Sequence, residues 1–308
     1  MGIYKYIYGP VPSRRMGISL GISPIPKKYC NYSCVYCQLG RTKNLTNKRN
    51  EFFDLKEILK EFQDISKKDI YYDVVTIVGE GEPTLYSELG RLIKKIKTMT
   101  DKPVAVITNG ALMYDEKIRK DLMKADIVLP SIDACNENMF TRINRPSRSI
   151  NYNNMLEGLI EFSNHYKGQL WIEIMLVKGY NDSVDNLIEF KKILTRINYD
   201  KLYINTPVRP PAESYVKKVG SEKMELAVEI LEGISIDQLV SDGFYSEIED
   251  DVYAVMSIIK RHPMNQFEIV SFLEKRGNKN PVGIFEKLSY VDEIEVVEYM
   301  NYNTYRLV

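Results

Sequence analysis

The chain has 308 residues, 44% of them hydrophobic and 27% charged, a balance ordinary for a soluble globular protein. Lys+Arg and Asp+Glu both number 42, so there is no overall basic excess, and any binding of nucleic acid would need its cations gathered on one face. No apolar run approaches the ~20 residues of a membrane span, and MGIYKYIYGP lacks a charged-then-apolar leader, so the expected compartment is the cytoplasm, with no membrane partner.

Six buried strands are expected in chain order: 17–23 (GISLGIS), 72–79 (YDVVTIVG), 103–108 (PVAVIT), 126–133 (DIVLPSID), 170–177 (LWIEIMLV) and 201–207 (KLYINTP). Each is a short β-branched or aromatic run bounded by Gly, Pro, Asn or Asp. Between them lie FDLKEILKEFQDISKK, YSELGRLIKKIKTM, YDEKIRKDLMKA, NNMLEGLIEFSNHY and SVDNLIEFKKILTRI, with apolar residues at helical spacing and charges opposite. Apolar strands alternating with amphipathic helices predict an α/β fold, a parallel sheet covered by helices. Periodicity does not separate an open barrel from a doubly wound sheet.

The pattern changes near residue 235. Helices are expected at about 249–261, 265–275 and 280–290, followed by a hairpin turning at 301–303. Three helices and a hairpin outline a winged-helix-like α+β domain, with RGNKN as the turn of a helix-turn-helix pair. The expected division is therefore 1–235 and 236–308. The tail has no cysteine, and it is expected to assist docking of a substrate or partner while supplying no catalytic group.

Three of the four cysteines, Cys30, Cys34 and Cys37, lie within KKYCNYSCVYCQLGRT. A reducing compartment and an odd number of thiols argue against disulfides. Structural zinc needs four ligands, and the other candidates, Cys135, His165 and His262, are far away in sequence. Electron-carrying clusters take four cysteines. A [4Fe–4S] cluster held by three leaves one iron open, so the isolated triplet favours a reactive cluster. Cys135 reads as an inert buried thiol.

CNYSCVYC is a C-x3-C-x2-C loop with an aromatic residue before its last cysteine, placed after the first expected strand. It resembles the signature of the radical S-adenosylmethionine (SAM) superfamily, and the likeness extends over roughly residues 10–210. The resemblance implies a partial (β/α)6 barrel, a [4Fe–4S] cluster on Cys30, Cys34 and Cys37, and SAM on its open iron. It further implies reductive cleavage to a 5′-deoxyadenosyl radical that takes hydrogen from a substrate, with an external one-electron reductant. VGEGEPTL matches the segment that holds the methionyl amine, giving Gly79, Glu80, Gly81, Glu82 and Pro83. Glycines allow close backbone approach, and carboxylates accept from an ammonium. Thr108 and Asn109 of ITNG, Ser131 and Asp133 of PSID, and Glu173 of WIEIMLV carry over as SAM contacts, and Tyr36 as a wall near the adenine or the cluster. Each also has a structural reading: EGEP and TNG as turns, Asp133 as a helix N-cap, Glu173 in a buried ion pair. Their order at successive strand ends, where α/β folds bind ligands, favours the functional reading.

YGPVPSRRMGISLG, FTRINRPSRS and MLVKGYNDS resemble a stand-alone branch grouped with the tRNA wyosine-base synthetases. Those synthetases carry extra cysteines for a second cluster, which this chain lacks, so the branch does not define the substrate. Arg14, Arg15, Arg145 and Arg148 are placed near the substrate, since guanidinium pairs suit carboxylate or phosphate. The leading reading is a single-cluster enzyme acting on RNA or protein. The alternatives are an activase of glycyl-radical enzymes and a winged-helix DNA-binding redox regulator. Replacing Cys34 with Ala should abolish cluster uptake in anaerobic reconstitution, whereas Cys135→Ala should leave iron and sulfide content unchanged. Loss of iron in the Cys135 variant would overturn the ligand assignment.

Overall fold

The protein, represented by a computed structural model, is described over residues 4–236, 244–246, 248–299 and 302–307. Ten strands precede the tail: β1 (Ile7–Ser13), β2 (Gly17–Ile22), β3 (Tyr29–Cys30), β4 (Asn44–Leu45), β5 (Val74–Ile77), β6 (Val104–Thr108), β7 (Ile127–Pro130), β8 (Gln169–Met175), β9 (Lys201–Asn205) and β10 (Ile234–Ser235). Helices α1 (Leu55–Ser66), α2 (Leu89–Ile96), α3 (Glu116–Leu122), α4 (Glu137–Ile143), α5 (Tyr152–His165), α6 (Val184–Leu194) and α7 (Ser221–Leu231) alternate with them. Side-chain caps start five of these seven helices. In α1 the Asp54 carboxylate accepts from Lys56 N at 2.8 Å, and Leu55, Ile58, Phe62 and Ile65 bury one face.

The main sheet runs β1-β2-β5-β6-β7-β8-β9-β10, parallel from β2 onward, with β1 antiparallel at one edge. From β1 to β10 the spatial order follows the chain. Every right-handed crossover therefore steps the same way and lays its helix on the same face. A doubly wound sheet would reverse direction at a switch point. The result is an open barrel whose edges, β1 and β10, stay unjoined.

Strand alternation divides the two faces. Leu20, Ile22, Val75, Ile77, Val104 and Val106 pack in the large core that includes the helices. Met16, Val74, Ala105, Leu129, Trp171 and Tyr203 form a smaller cluster on the concave face. Two residues further along the same face come Thr76, Glu173 and Asn205, so the inner wall turns polar towards the strands' C-terminal ends.

Expectation placed the first strand at 17–23, and β1 was not foreseen. Its Gly9, Pro10 and Pro12 argue against a strand, but an edge strand tolerates missing donors. The tail holds α8 (Asp251–Ile259), β11 (Met264–Asn265), α9 (Gln266–Lys275), α10 (Pro281–Ser289), β12 (Ile294–Tyr299) and β13 (Tyr302–Leu307). Its antiparallel sheet, β11-β13-β12, packs with the helices around Val255, Ile258, Met264, Ile269, Phe272 and Leu288. Asn301, expected at the hairpin turn, and 237–243, next to the expected division, lie outside the described residues.

The tail closes against the barrel mouth. Tyr299 Oη donates to Pro207 O at 2.7 Å and Tyr302 Oη to Val208 O at 3.3 Å. Arg261 donates to Lys5 O at 2.7 Å and Lys27 Nζ to Leu307 O at 2.9 Å. Among the described residues, no helix is long and apolar enough to cross a membrane.

Candidate active site

The cysteine loop leaves β2 and is strapped to three other segments. On one side Lys28 N donates to Glu80 O at 2.6 Å, and Glu82 N donates to Tyr29 O at 3.0 Å. A Cβ on Gly81 would stand 1.8 Å from that Tyr29 oxygen, so the crossing admits no larger residue. On the second side Ser33 N donates to Asn144 O at 3.0 Å, Val35 N to Ile143 O at 2.9 Å, and Ser147 N to Asn31 O at 2.8 Å. On the third, Glu213 N donates to Val35 O at 3.1 Å, and the Glu213 carboxylate takes a bidentate clamp from Arg41 at 2.9 and 2.8 Å. Arg41 first, and Arg145 with it, hold the Glu213 carboxyl below its ordinary value.

Cys30, Cys34 and Cys37 thereby face one cavity of about 340 Å3 at the C-terminal ends of the strands. Burial pushes all three thiols up, so as free groups they stay protonated. Asn109 Nδ2 points at Cys30 Sγ from 3.6 Å, Tyr32 N from 3.4 Å, and Asn144 Nδ2 at Cys34 Sγ from 3.5 Å. These are donors aimed at sulfur, the surroundings that favour thiolate. Asn31, fully buried beside Cys30, keeps its Nδ2 without a partner. Among the described residues no three His, Cys, Asp or Glu side chains converge on a single ion. Three thiols on one wall suit a cluster, in which each thiolate binds a different iron. Cys135 lies elsewhere, against Met139 and Asn186.

Gly79, Glu80, Gly81, Glu82, Pro83, Thr108, Asn109, Ser131, Glu173, Tyr36 and Arg15 all line this cavity. Glu82 is fully engaged: its oxygens accept from Thr84 N at 3.0 Å, Thr84 Oγ1 at 2.6 Å, Thr108 Oγ1 at 2.6 Å and Asn109 N at 2.8 Å. It caps the short turn Pro83–Leu85 and ties it to the end of β6, and burial raises its carboxyl all the same. Glu173 pairs with Arg15 and accepts from Asn205 Nδ2 at 3.2 Å. Glu80 is 3.4 Å from Arg261 through one oxygen, while its buried Oε1 has no partner.

Asp133 takes another place than the strand-end pattern implied. It is buried behind the wall, accepting from the Tyr36 hydroxyl, from Asn144 Nδ2 at 2.7 Å and from Met175 N at 3.0 Å. Burial pushes its carboxyl up to about 6 in spite of these bonds. It props Tyr36 and Asn144, and the N-cap of α4 is Asn136 instead. Arg145 is bound to Glu213 and the Tyr215 hydroxyl, away from the cavity wall, and Arg148 is exposed.

Residues 25–190 match the Radical SAM superfamily, more than half of the chain. A UPF0026 protein of Methanocaldococcus jannaschii is 36% identical over 282 residues, 87% of this chain and 86% of its own length. A UPF0026 protein of Helicobacter pylori is 33% identical over 279 residues, covering 89% and 90%. A GTPase Obg of Brachyspira hyodysenteriae is 41% identical over 228 residues, 74% of this chain, which spans 34% of that relative. The chain belongs to the radical SAM superfamily. Similar folds occur in a radical SAM methyltransferase from Sphaerobacter thermophilus (TM-score 0.52, 15% identity, 71% of this chain and 68% of that one). Streptococcus suis SuiB bound to S-adenosylmethionine is also similar (TM-score 0.52, 17% identity, 70% and 46%). This superfamily implies an enzyme with an iron–sulfur cluster and SAM, and the donors around the three cysteines fit such a cluster.

Several residues at this site escaped the strand-end reading. Asn205 carried the same signal as Thr108 and Ser131, a polar residue closing a buried strand. Asn31 and Asn144 lie inside quoted segments but gave no chemical cue. Arg209 and Arg261, also at the barrel mouth, gave none at all, and His262 was weighed only as a distant zinc ligand. The tail was expected to supply no catalytic group, and its Arg261 reaches the cavity wall as the ion-pair partner of Glu80, because α8 ends against the strand edge that β1 provides.

Gly81→Ala should lower stability by about 1–3 kcal/mol through the Tyr29 clash and should reduce iron uptake on reconstitution. Gly220→Ala, at the N-cap of α7 with open space around the glycine, should leave iron uptake unchanged and cost only the weaker cap, about 0.5–1 kcal/mol. Thermal melts and iron analysis of both variants check this. A Gly81→Ala variant that melts and loads iron like the parent would contradict the role of the crossing.

Proposed function

We propose that this chain is a single-cluster radical SAM enzyme that takes a hydrogen atom from its substrate. The observation that carries the reading is the set of three cysteines from one loop on the wall of a strand-end cavity, facing the Gly79–Pro83 segment, with Cys135 remote from them. Bound together, a [4Fe–4S] cluster and SAM would supply reductive cleavage of the sulfonium and a carbon radical, given an electron from an external donor.

The chain's own residues divide the remaining work. Cys30, Cys34 and Cys37 hold the cluster, and the Asn109 and Asn144 amides stabilise thiolate charge on Cys30 and Cys34. Gly79 and Gly81 let the backbone approach the methionyl end of SAM. Among the carboxylates lining the cavity, Glu82 and Glu173 have partners on both oxygens, and Glu80 Oε1 has none. Glu80 is therefore assigned to the methionyl ammonium, and Glu82 to holding Thr108 and Asn109 in place. Ser131, Glu173 and Asn205 present polar groups from the inner wall. Tyr36, anchored by Asp133, keeps solvent from the cluster side.

Residues 236–308 are read as a winged-helix-like second domain that closes the barrel mouth and docks a macromolecular substrate, RNA or protein, in the cytoplasm. Its α10 carries Lys287 as its one cation, which disfavours a DNA regulator, since groove binding draws on several phosphate contacts.

Anaerobic reconstitution should load about four irons per chain, and dithionite should then release 5′-deoxyadenosine from SAM. Glu80→Gln should keep its iron and bind SAM about tenfold more weakly, the loss of one charge-assisted contact. Stoichiometric zinc in place of iron, or no SAM binding by loaded protein, would sink the reading.

A further inference from the structure

Beside the cysteine cavity lies a second chamber of about 240 Å3, formed where the tail meets the barrel. The two share Arg15, Gln38, Gly79, Ile107, Asn205 and Arg209 in their walls. Arg14, Arg15, Arg209, Arg261 and His262 line the new chamber, and no Asp or Glu among the described residues does. The carboxylates that pair with these arginines stand outside its lining: Glu173 with Arg15, Glu80 with Arg261, and Glu268 with Arg209 at 3.4 Å.

Those pairings leave donors over. Arg15 Nε and Arg209 Nη1 are buried without a hydrogen-bond partner, and Arg261, only 6% exposed, meets Glu80 through Nε at 3.4 Å without hydrogen-bond geometry. Leaving a buried guanidinium donor unmet is costly, so two unmet and a third weakly engaged at one chamber call for an acceptor that arrives with a ligand. Arg209 also donates to His262 Nε2 at 2.6 Å. A guanidinium only donates, so that nitrogen accepts and the imidazole is neutral with its proton on Nδ1. Burial first, then Arg209, Arg14 and Arg15, hold His262 well below its ordinary value.

We propose that this chamber binds a phosphate group of the substrate and so presents the neighbouring carbon to the cysteine cavity. Three guanidinium groups from three parts of the chain, the β1–β2 turn, the segment after β9 and the end of α8, match the several oxygens of a phosphate better than the two of a carboxylate. The chamber's volume suits a single phosphorylated group and excludes a folded partner. The inference rests on the radical SAM reading for its reaction, but phosphate binding needs neither cluster nor SAM.

The test is calorimetric titration of the full chain with inorganic phosphate, against acetate and chloride at matched ionic strength. Iron loading is measured separately, so a failed radical SAM reading and a failed chamber are told apart. Phosphate should bind with acetate and chloride inert, and Arg209→Gln and Arg261→Gln should each weaken it about tenfold or more. Tyr299→Phe, which loosens the tail's clasp and leaves the chamber charge intact, should retain binding. A single-stranded RNA decamer that competes with phosphate would assign the site to an internal phosphodiester, and one that does not would assign it to a terminal or small-molecule phosphate. Equal heats from acetate, undiminished binding in both arginine variants, or loss in Tyr299→Phe matching that in Arg261→Gln would overturn the proposal.

Discussion

The site hangs on one crossing of backbone over backbone. Tyr29 enters the cysteine loop by lying across Gly81, with hydrogen bonds from Lys28 N to Glu80 O and from Glu82 N to Tyr29 O on either side. The first loop of the barrel and the turn after β5 are thereby locked into one unit. Glu82 extends the lock to the end of β6, and Glu213 with its two arginines ties the far side of the loop to the segment after β9. Loops at the ends of separate strands thus behave as one rigid wall, which three reactive thiols need if they are to share one cluster.

Burial explains why so much of this polar wall is self-satisfied. A carboxylate buried inside a barrel costs several kcal/mol unless hydrogen bonds or a charge offset its desolvation. Glu82, Asp133 and Glu173 each meet that condition with two or more partners, and each becomes a structural brace. Groups left incomplete in the same environment therefore stand out: Glu80 Oε1, Asn31 Nδ2, Arg15 Nε and Arg209 Nη1. They are the groups on which the proposed contacts to SAM and to a phosphate are built.

Much of the barrel was legible in the residues. VVTI, VAVIT and KLYIN are short apolar runs between amphipathic helices, and they became β5, β6 and β9 close to their expected bounds. The β1 edge was not legible, since Gly-Pro-Val-Pro reads as a turn and only an edge position tolerates it. Among the site residues, the Gly79–Pro83 and Thr108–Asn109 segments lie on the cavity wall because strand ends converge there in any parallel α/β sheet. Asp133 shared that signal and lies behind the wall. A strand-end position says which end of the sheet a side chain occupies, and packing of Tyr36 and Asn144 decides which way it turns.

What the sequence by itself determined is local: which runs form strands, which form helices, and that three thiols sit in one loop after the first strand of the parallel run. Periodicity and spacing act through near neighbours, so they survive without tertiary knowledge. Tertiary structure alone decided that the sheet curls open instead of doubling back, since crossover direction is set by packing across the whole sheet. It alone decided that Arg209, Arg261 and His262 meet Arg15 at one chamber, though nearly two hundred residues or more separate them from Arg15 in the chain. Charge and burial act through space, and no local pattern encodes which distant side chains will share the same few ångströms.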